Sequence, residues 1–188
     1  MIDEELFQAK KLYPFQEKTV NAIIDELDKN GSDYNLLFQL PTGGGKTVIF
    51  SEVAKSYIEK YQKKVLILTH RIELSVQTSR QLNAIGISNK VISSDVKNLI
   101  DEEHHPCYIA MVETLNNRLQ ENENFVDGVG LVIVDEAHYN SFRKIFQYYS
   151  GANILGVTAT PLSSNKALPL NDHYNKLLVG ESIASLIQ

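Results

Sequence analysis

The residues of this chain that are best suited to chemistry form a glycine-rich turn at positions 40–47, with the sequence LPTGGGKT. The apolar run at residues 36–39 predicts a buried strand before the turn, and residues 48–54 can form a helix after it. In such a turn, glycines let backbone N–H groups close around phosphate oxygens, and the helix N-terminus adds positive potential. Lys46 can reach the terminal phosphates of a nucleotide, and the Thr47 hydroxyl can ligate Mg²⁺. The segment therefore predicts a nucleotide-phosphate site.

A pair of carboxylates further along the chain strengthens this interpretation. For the turn alone, an ordinary glycine-rich turn is the alternative, because the strict phosphate-loop pattern has Gly where this chain has Leu40. The apolar run at residues 131–134 ends in Asp135 and Glu136. Carboxylates at the C-terminal end of a buried parallel strand lie where open α/β sheets bind ligands. One of them can hold a metal ion while the other positions or deprotonates water, as phosphoryl transfer requires.

The composition is that of a folded domain. The chain has 188 residues, of which 43% are hydrophobic and 22% charged, and this length fits one domain with a substantial core. Cys107 is the single cysteine, which excludes an intrachain disulfide and suits a reducing compartment. The acidic N-terminus lacks a signal-peptide core, so we expect a cytoplasmic protein with no membrane span. The net charge of −5 argues against a nonspecific nucleic-acid coat but permits a local basic groove.

Predicted helices and strands alternate along the chain. Helices are predicted at residues 14–28, from the glycine-rich turn to about residue 61, and at residues 73–84, 114–119 and 142–149. Strands are predicted at residues 36–40, 65–69, 90–93, 108–112, 131–134 and 154–157. Residues 162–175 are polar and predict a loop. This alternation predicts an α/β fold with a mainly parallel sheet and helices on both faces.

Six segments of the chain occur in the order that one family of motor proteins shows. They are residues 13–16 (YPFQ), 40–47 (LPTGGGKT), 69–74 (THRIEL), 112–115 (VETL), 135–138 (DEAH) and 158–161 (TATP). Together they resemble the first RecA-like, ATP-binding domain of a superfamily 2 DEAD/DEAH-box-type helicase. The branch with the closest resemblance holds type III restriction res subunits and excision-repair translocases. The resemblance covers about residues 12–187, and it departs at Tyr13, where the family often has Arg.

The resemblance implies a RecA-like P-loop NTPase fold and a role for each matching residue of the nucleotide site. Gln16 resembles the glutamine that reads adenine, with a surface helix residue as the alternative. Lys46 would neutralise the β- and γ-phosphates, and Glu136 would orient and deprotonate the attacking water. Thr47 and Asp135 would hold Mg²⁺, Asp135 through water. The full set expected to bind ATP is Gln16, Pro41, Thr42, Gly43, Gly44, Gly45, Lys46 and Thr47.

Further matches concern communication between the sites and nucleic-acid binding. The residues implied in coupling nucleotide state to nucleic-acid grip are His138, Thr158 and Thr160. Those implied in contacts with the nucleic-acid backbone are His70, Arg71 and Thr114. Local sequence offers alternatives, namely a helix cap for residues 158–160, a structural ion pair for Arg71 and a helix N-cap for Thr114. His104, His105 and Cys107 lie near acidic residues but lack paired-ligand spacing, so a solvated loop rather than a metal site is expected.

Two functions from different classes remain open at this point. The first is a nucleic-acid-dependent ATPase motor, a helicase or duplex translocase. The second is a nucleotide-binding regulatory or scaffold module, which would have no need of Glu136. The resemblance favours DNA over RNA as the substrate, by analogy alone. It also implies a second RecA-like domain after Gln188 that supplies an arginine to the hydrolysis site. We therefore expect the isolated domain to be nearly inactive and to bind nucleic acid weakly.

Overall fold

The computed structural model describes residues 12–40, 45–99, 104–136, 142–159 and 174–179. In these ranges the helices are α1 (Pro14–Asn30), α2 (Lys46–Tyr61), α3 (Ile72–Ala84), α4 (Val112–Glu121) and α5 (Arg143–Phe146), the last followed by a 3₁₀ turn at Gln147–Tyr149. The strands are β1 (Asn35–Gln39), β2 (Lys64–Thr69), β3 (Asn89–Ile92), β4 (Cys107–Met111), β5 (Val129–Asp135), β6 (Asn153–Thr158) and β7 (Lys176–Val179).

The strands of the described ranges form one seven-stranded sheet with the order β3-β4-β2-β5-β6-β1-β7. Every pair of neighbouring strands is parallel. The predicted α/β fold with a mainly parallel sheet is thereby confirmed. Because parallel strands all end on the same side, the residues that follow them lie along one edge of the sheet, which we call the carboxyl edge.

The five central strands, β4, β2, β5, β6 and β1, are buried on both faces, which explains their continuous apolar runs. In β2, Val65 and Ile67 pack into a core that α1, α2 and α3 cover. Leu66 and Leu68 pack into a second core, on the opposite face, that α4 and α5 cover. The prediction of helices on both faces is therefore confirmed. None of the described helices has both the length and the apolar character that would be required to cross a bilayer.

Helices α4 and α5 have boundaries that differ from the sequence prediction for identifiable physical reasons. Helix α4 begins at Val112 rather than at residue 114, because Val112 turns into the core and Glu113 is favourable in the first helical turn. The helix predicted at residues 142–149 is α-helical only over Arg143–Phe146, and then it tightens into a 3₁₀ turn, as the ends of helices often do.

Strand β7 was not predicted from the sequence. Leu177 and Val179 are exposed, so the strand shows no simple alternation between buried and exposed positions. It pairs with β1 at the end of the sheet, and an ion pair between Lys176 and Glu26 of α1 holds it there. The predicted loop at residues 162–175 lies outside the described residues except for its last two positions.

The turn between α1 and β1 is tied to the beginning of β6. The side-chain amide of Asn153 donates hydrogen bonds to the carbonyl oxygens of Gly31, at 2.7 Å, and Tyr34, at 2.9 Å. The carboxylate of Asp33 accepts a hydrogen bond of 2.7 Å from the backbone N–H of Gly151. Since Asn153 is itself buried, its amide replaces water as the partner of these two carbonyl groups.

We expect Asn153→Ala to lower the free energy of unfolding by about 1–3 kcal/mol, because two carbonyl groups lose their donor. Urea denaturation followed by circular dichroism measures the change. Asn98→Ala, in an exposed loop, is the matched control and should stay within about 0.5 kcal/mol of the wild type. Equal losses in the two variants would contradict the role of Asn153 in fixing the turn.

Candidate functional site

Strands β1, β6 and β5 are neighbours, and their ends bring the sequence-predicted site together at the carboxyl edge. Gln39, at the end of β1, pairs in register with Thr158, at the end of β6. Asp135, at the end of β5, pairs with Val157. The glycine-rich turn leaves β1 at this same edge and enters α2 at Lys46. The sheet therefore places Lys46 beside the strand-end carboxylates, as the sequence predicts.

Lys46 contacts both carboxylates. Its Nζ lies 2.9 Å from Oδ1 of Asp135 and also contacts Oε1 of Glu136. Burial alone would lower the pKa of Lys46, but the attraction of Asp135 and Glu136 outweighs it, and the pKa is raised above its usual value. The ammonium group is therefore charged at physiological pH and is already oriented toward acidic partners.

The backbone of Glu136 allows two consecutive carboxylates to contact one ammonium group. Asp135 is the last residue of β5, and its side chain is 3% exposed. Glu136 then turns into the left-handed region, with φ of +58°. This conformation costs a residue with a side chain roughly 1–2 kcal/mol, and such backbone strain concentrates at functional sites. The turn directs the carboxylate of Glu136 back to Lys46 instead of continuing the strand.

Gln16 lies against the glycine-rich turn. It is buried near the start of α1, and its Oε1 accepts a hydrogen bond of 3.0 Å from the backbone N–H of Tyr13. Gly45, just before α2, has φ of +79°, and a Cβ atom there would lie 2.4 Å from Nε2 of Gln16. The alternative of a surface helix residue is therefore wrong for Gln16. The structure places its amide group beside the predicted phosphate turn.

The other residues predicted for ATP binding and for coupling are either described by the structure or lie outside the described ranges. Thr47 is half-buried in the first turn of α2, next to Lys46. Thr158 is buried at the end of β6, where its carbonyl oxygen accepts a hydrogen bond of 3.0 Å from the backbone N–H of Leu40. The predicted residues that lie outside the described ranges are Pro41, Thr42, Gly43, Gly44, His138 and Thr160.

The candidates for nucleic-acid contact lie further along the same edge. His70 and Arg71 follow β2, and Thr114 follows β4, whose last residue pairs in register with the last residue of β2. Arg71 is exposed and forms no ion pair with any described residue, so the structure gives no support to the ion-pair alternative. Thr114 is the third residue of α4, and Met111 occupies the N-cap, so the N-cap alternative is wrong.

The sequence prediction missed one pair of side chains at this edge, Glu113 and Lys144, whose oppositely charged groups lie 2.6 Å apart. Their separation of 31 positions in the chain offers no signal for such a contact. Of the possible metal ligands, Cys107 is buried at the start of β4, so the expected solvated loop is wrong for this residue. His105 hydrogen-bonds to Ser88, and burial raises the pKa of the Cys107 thiol. The described residues contain no cluster suited to a metal ion.

The class of the domain follows from the sheet and its carboxyl edge. An all-parallel sheet covered on both faces, with the lysine of a glycine-rich sequence beside the acidic end of a strand, is the RecA-like form of the P-loop NTPase fold. The structure of the UvsW helicase from bacteriophage T4 has the same fold. It superposes with a TM-score of 0.70 over 92% of this chain and 62% of that chain, at 20% sequence identity.

The chain belongs to the family of the res subunit of type III restriction enzymes, whose family model matches residues 9–163. It is similar to the Saccharomyces cerevisiae protein IRC3, which is named as an ATP-dependent helicase. The two are 31% identical over 174 residues, which cover 85% of this chain and 25% of IRC3. It is also similar to the endonuclease subunit of the Escherichia coli type I restriction enzyme EcoAI, with 26% identity over 81% of this chain and 20% of that protein. The chain thus spans a fifth to a quarter of the length of these curated relatives.

The contact between Gln16 and the glycine-rich turn yields a test. Gly45 and Gly86 have nearly equal positive φ angles, but only Gly45 has a close neighbour. Gly86→Ala should cost roughly 1–2 kcal/mol from backbone strain alone, and Gly45→Ala should cost more because the new Cβ collides with Gln16. Thermal unfolding of both variants measures the difference. When Gln16 is also replaced by Ala, the additional loss of stability caused by Gly45→Ala should become smaller. If it does not, the new methyl group must collide with a residue other than Gln16.

Proposed function

We propose that this chain is the nucleotide-binding motor domain of an ATP-dependent helicase or duplex translocase, in which ATP hydrolysis drives movement along nucleic acid. The observation that carries the proposal is the contact of Lys46 with Asp135 and Glu136 at the carboxyl edge. A lysine at a helix start that faces two strand-end carboxylates supplies the groups that phosphoryl transfer needs. Membership of the res-subunit family and the similarity to IRC3 support the same conclusion.

The proposed ligand of the nucleotide site is ATP with Mg²⁺. The residues proposed to bind ATP are Gln16, Pro41, Thr42, Gly43, Gly44, Gly45, Lys46 and Thr47. The carboxylate of Asp135 is buried beside the ammonium group of Lys46, and its oxygen atoms can accept hydrogen bonds from metal-bound water. Thr47 and Asp135 are the proposed metal-binding residues. When bound, Mg²⁺ neutralises charge that develops on the transferred phosphoryl group.

The ion pairs of Lys46 suggest how binding and catalysis are linked. Lys46 is 20% exposed and already meets two carboxylates, so phosphate oxygens must compete with them for its ammonium group. Once phosphates take this charge, the Glu136 carboxylate is released to accept a proton from an attacking water. A regulatory scaffold would require Lys46 for binding but would have no use for Glu136. The position of Glu136 therefore favours the motor over the scaffold.

The remaining proposals concern nucleic acid and the rest of the protein. His70, Arg71 and Thr114 are proposed to contact the nucleic-acid backbone, while His138, Thr158 and Thr160 couple the two sites. DNA is preferred over RNA as the substrate because the family is that of a restriction-enzyme subunit. We propose that residues 1–188 form one ATP-binding domain of a longer cytoplasmic protein. A second RecA-like domain in that protein would supply the arginine that completes the hydrolysis site.

Lys46→Ala is expected to weaken nucleotide binding by about 1.5–3 kcal/mol, the contribution of a hydrogen bond to a charged group. Titration calorimetry with ADP and Mg²⁺ measures the affinity. The matched control is Lys60→Ala, which removes a lysine of the same helix that is paired with Asp28, far from the carboxyl edge. If wild type and Lys46→Ala bind ADP with equal affinity, the assignment of the phosphate site to the glycine-rich turn is wrong.

Glu136→Gln is expected to retain nucleotide binding and to abolish hydrolysis. The amide preserves the shape of the side chain, but it cannot accept the proton of the attacking water. Steady-state phosphate release, measured on the protein joined to its second motor domain with DNA present, gives the rate. Glu59→Gln, on the exposed side of α2, is the control and should hydrolyse ATP like the wild type. Near-normal hydrolysis by Glu136→Gln would show that another residue acts as the base.

A further inference from the structure

A second ion pair lies at the carboxyl edge, remote from the glycine-rich turn. Nζ of Lys144 lies 2.6 Å from Oε1 of Glu113. Glu113 is the second residue of α4, directly beyond β4, and Lys144 is the second residue of α5. Both side chains are accessible to solvent, with exposed fractions of 69% for Glu113 and 38% for Lys144. A ligand that approaches this edge can therefore reach either group.

The pair lies beside the candidates for nucleic-acid contact. Thr69 of β2 and Met111 of β4 are paired in register, and the chain continues two residues from them to Arg71 and Glu113, respectively. These two residues thus leave neighbouring strands at the same level of the sheet. Arg71 is an exposed cation that follows β2, the strand next to β4, and Lys144 contacts Glu113 directly. Two cations therefore lie in the part of the edge where β2 and β4 end.

The strength of the pair suits exchange with another anion. An ion pair between exposed side chains is weak, because water screens it and ordering the two side chains opposes it. Glu113 is in the first turn of α4, where the helix dipole favours a negative charge and holds the carboxylate in place. Among the residues that the structure describes, Glu113 is the one ionic partner of Lys144. A phosphate group that displaces Glu113 would leave no other described partner to compete for the ammonium group.

We propose that Lys144 is a contact for a nucleic-acid phosphate, and that Glu113 restrains this contact in the free protein. The proposal rests on the proposed function, since it concerns the same nucleic-acid surface. Glu113 competes with phosphate for Lys144, so nucleic-acid binding is weaker while the ion pair is intact. Displacement of Glu113 by the backbone of a strand then adds Lys144 to the contacts expected from Arg71 and Thr114. Because the net charge of the chain is negative, the chain as a whole does not attract nucleic acid over long distances. A local contact such as Lys144 therefore contributes a larger share of the binding.

The position of the pair distinguishes a nucleic-acid phosphate from a nucleotide phosphate. Strand β4 is separated from β1 by β2, β5 and β6 in the sheet. Four strand spacings correspond to about 19 Å, which is too far for the phosphates of a nucleotide held by the turn after β1. The phosphate that Lys144 would meet therefore belongs to another molecule, and a nucleic-acid strand along the carboxyl edge provides it.

The test measures the affinity of the chain for a fluorescein-labelled single-stranded DNA and for its duplex, by fluorescence anisotropy. Glu113→Gln should tighten binding about two- to fivefold, which corresponds to the release of one exposed ion pair. Lys144→Gln should weaken binding and reduce the slope of log affinity against log salt by about 1, when salt is varied between about 50 and 200 mM. The double variant should bind like Lys144→Gln, because Glu113 acts only through Lys144.

The matched control is the ion pair between Lys64 and Asp127, at the opposite edge of the sheet, where β2 and β5 begin. Asp127→Asn changes the net charge as Glu113→Gln does, and Asp127 is similarly exposed, at 74%. We expect no change in DNA affinity from Asp127→Asn or Lys64→Gln. Equal tightening by Asp127→Asn and Glu113→Gln would show that net charge alone is responsible, and it would overturn the proposal.

Two further outcomes are decisive. If Glu113→Gln also tightens binding in the absence of Lys144, Glu113 merely repels DNA, and its restraint of Lys144 is disproved. If neither wild type nor Glu113→Gln binds DNA at the lowest salt, this surface is not a nucleic-acid contact. Affinity for ADP with Mg²⁺ should be equal in wild type, Glu113→Gln and Lys144→Gln. A normal affinity for ADP without any DNA binding would thus refute this inference while leaving the nucleotide site intact.

Discussion

The parallel pairing of the strands is the constraint on which the rest of the structure depends. Because β1, β6 and β5 are adjacent and run in the same direction, Lys46 and the carboxylates of Asp135 and Glu136 meet at one edge. Lys46 and Glu136 are 90 positions apart in the sequence, so no single turn or helix could bring the lysine to the two carboxylates. Burial of the central strands on both faces fixes this arrangement, since a slip of one residue in register would move side chains that fit one core into the other.

The contact of Lys46 with two carboxylates is the electrostatic consequence of that arrangement. An ammonium group that is largely removed from water is costly unless anions are close, and the same holds for the carboxylate of Asp135. The three groups thus stabilise one another in the absence of phosphate. Phosphate oxygens can take over this attraction to Lys46 without the lysine having to move to a new environment. The strained backbone at Glu136 is needed for this arrangement, which links local strain to the chemistry of the site.

The sequence predicts the parts of the fold that depend on local patterns and misses those that depend on distant contacts. Continuous apolar runs identify β2 and β5, because both faces of these strands are covered. Strand β7 has no such pattern, since its place is fixed by pairing with β1 and by an ion pair with α1. In the site, types and spacing identify Lys46, Asp135 and Glu136. The burial of Gln16 against Gly45 and the contact of Glu113 with Lys144 join elements whose approach only the folded sheet determines.

The two groups of charges at the carboxyl edge differ chiefly in burial, and this difference indicates what each can do. The carboxylate of Asp135 is almost inaccessible, so charges around Lys46 interact strongly and respond to a ligand that enters the site. Glu113 and Lys144 are open to water, so their attraction is small and screened by salt. A strong, sheltered site suits a small ligand that must be held for chemistry. A weak, exposed pair suits contacts that form and break repeatedly, as the proposed movement along nucleic acid would need.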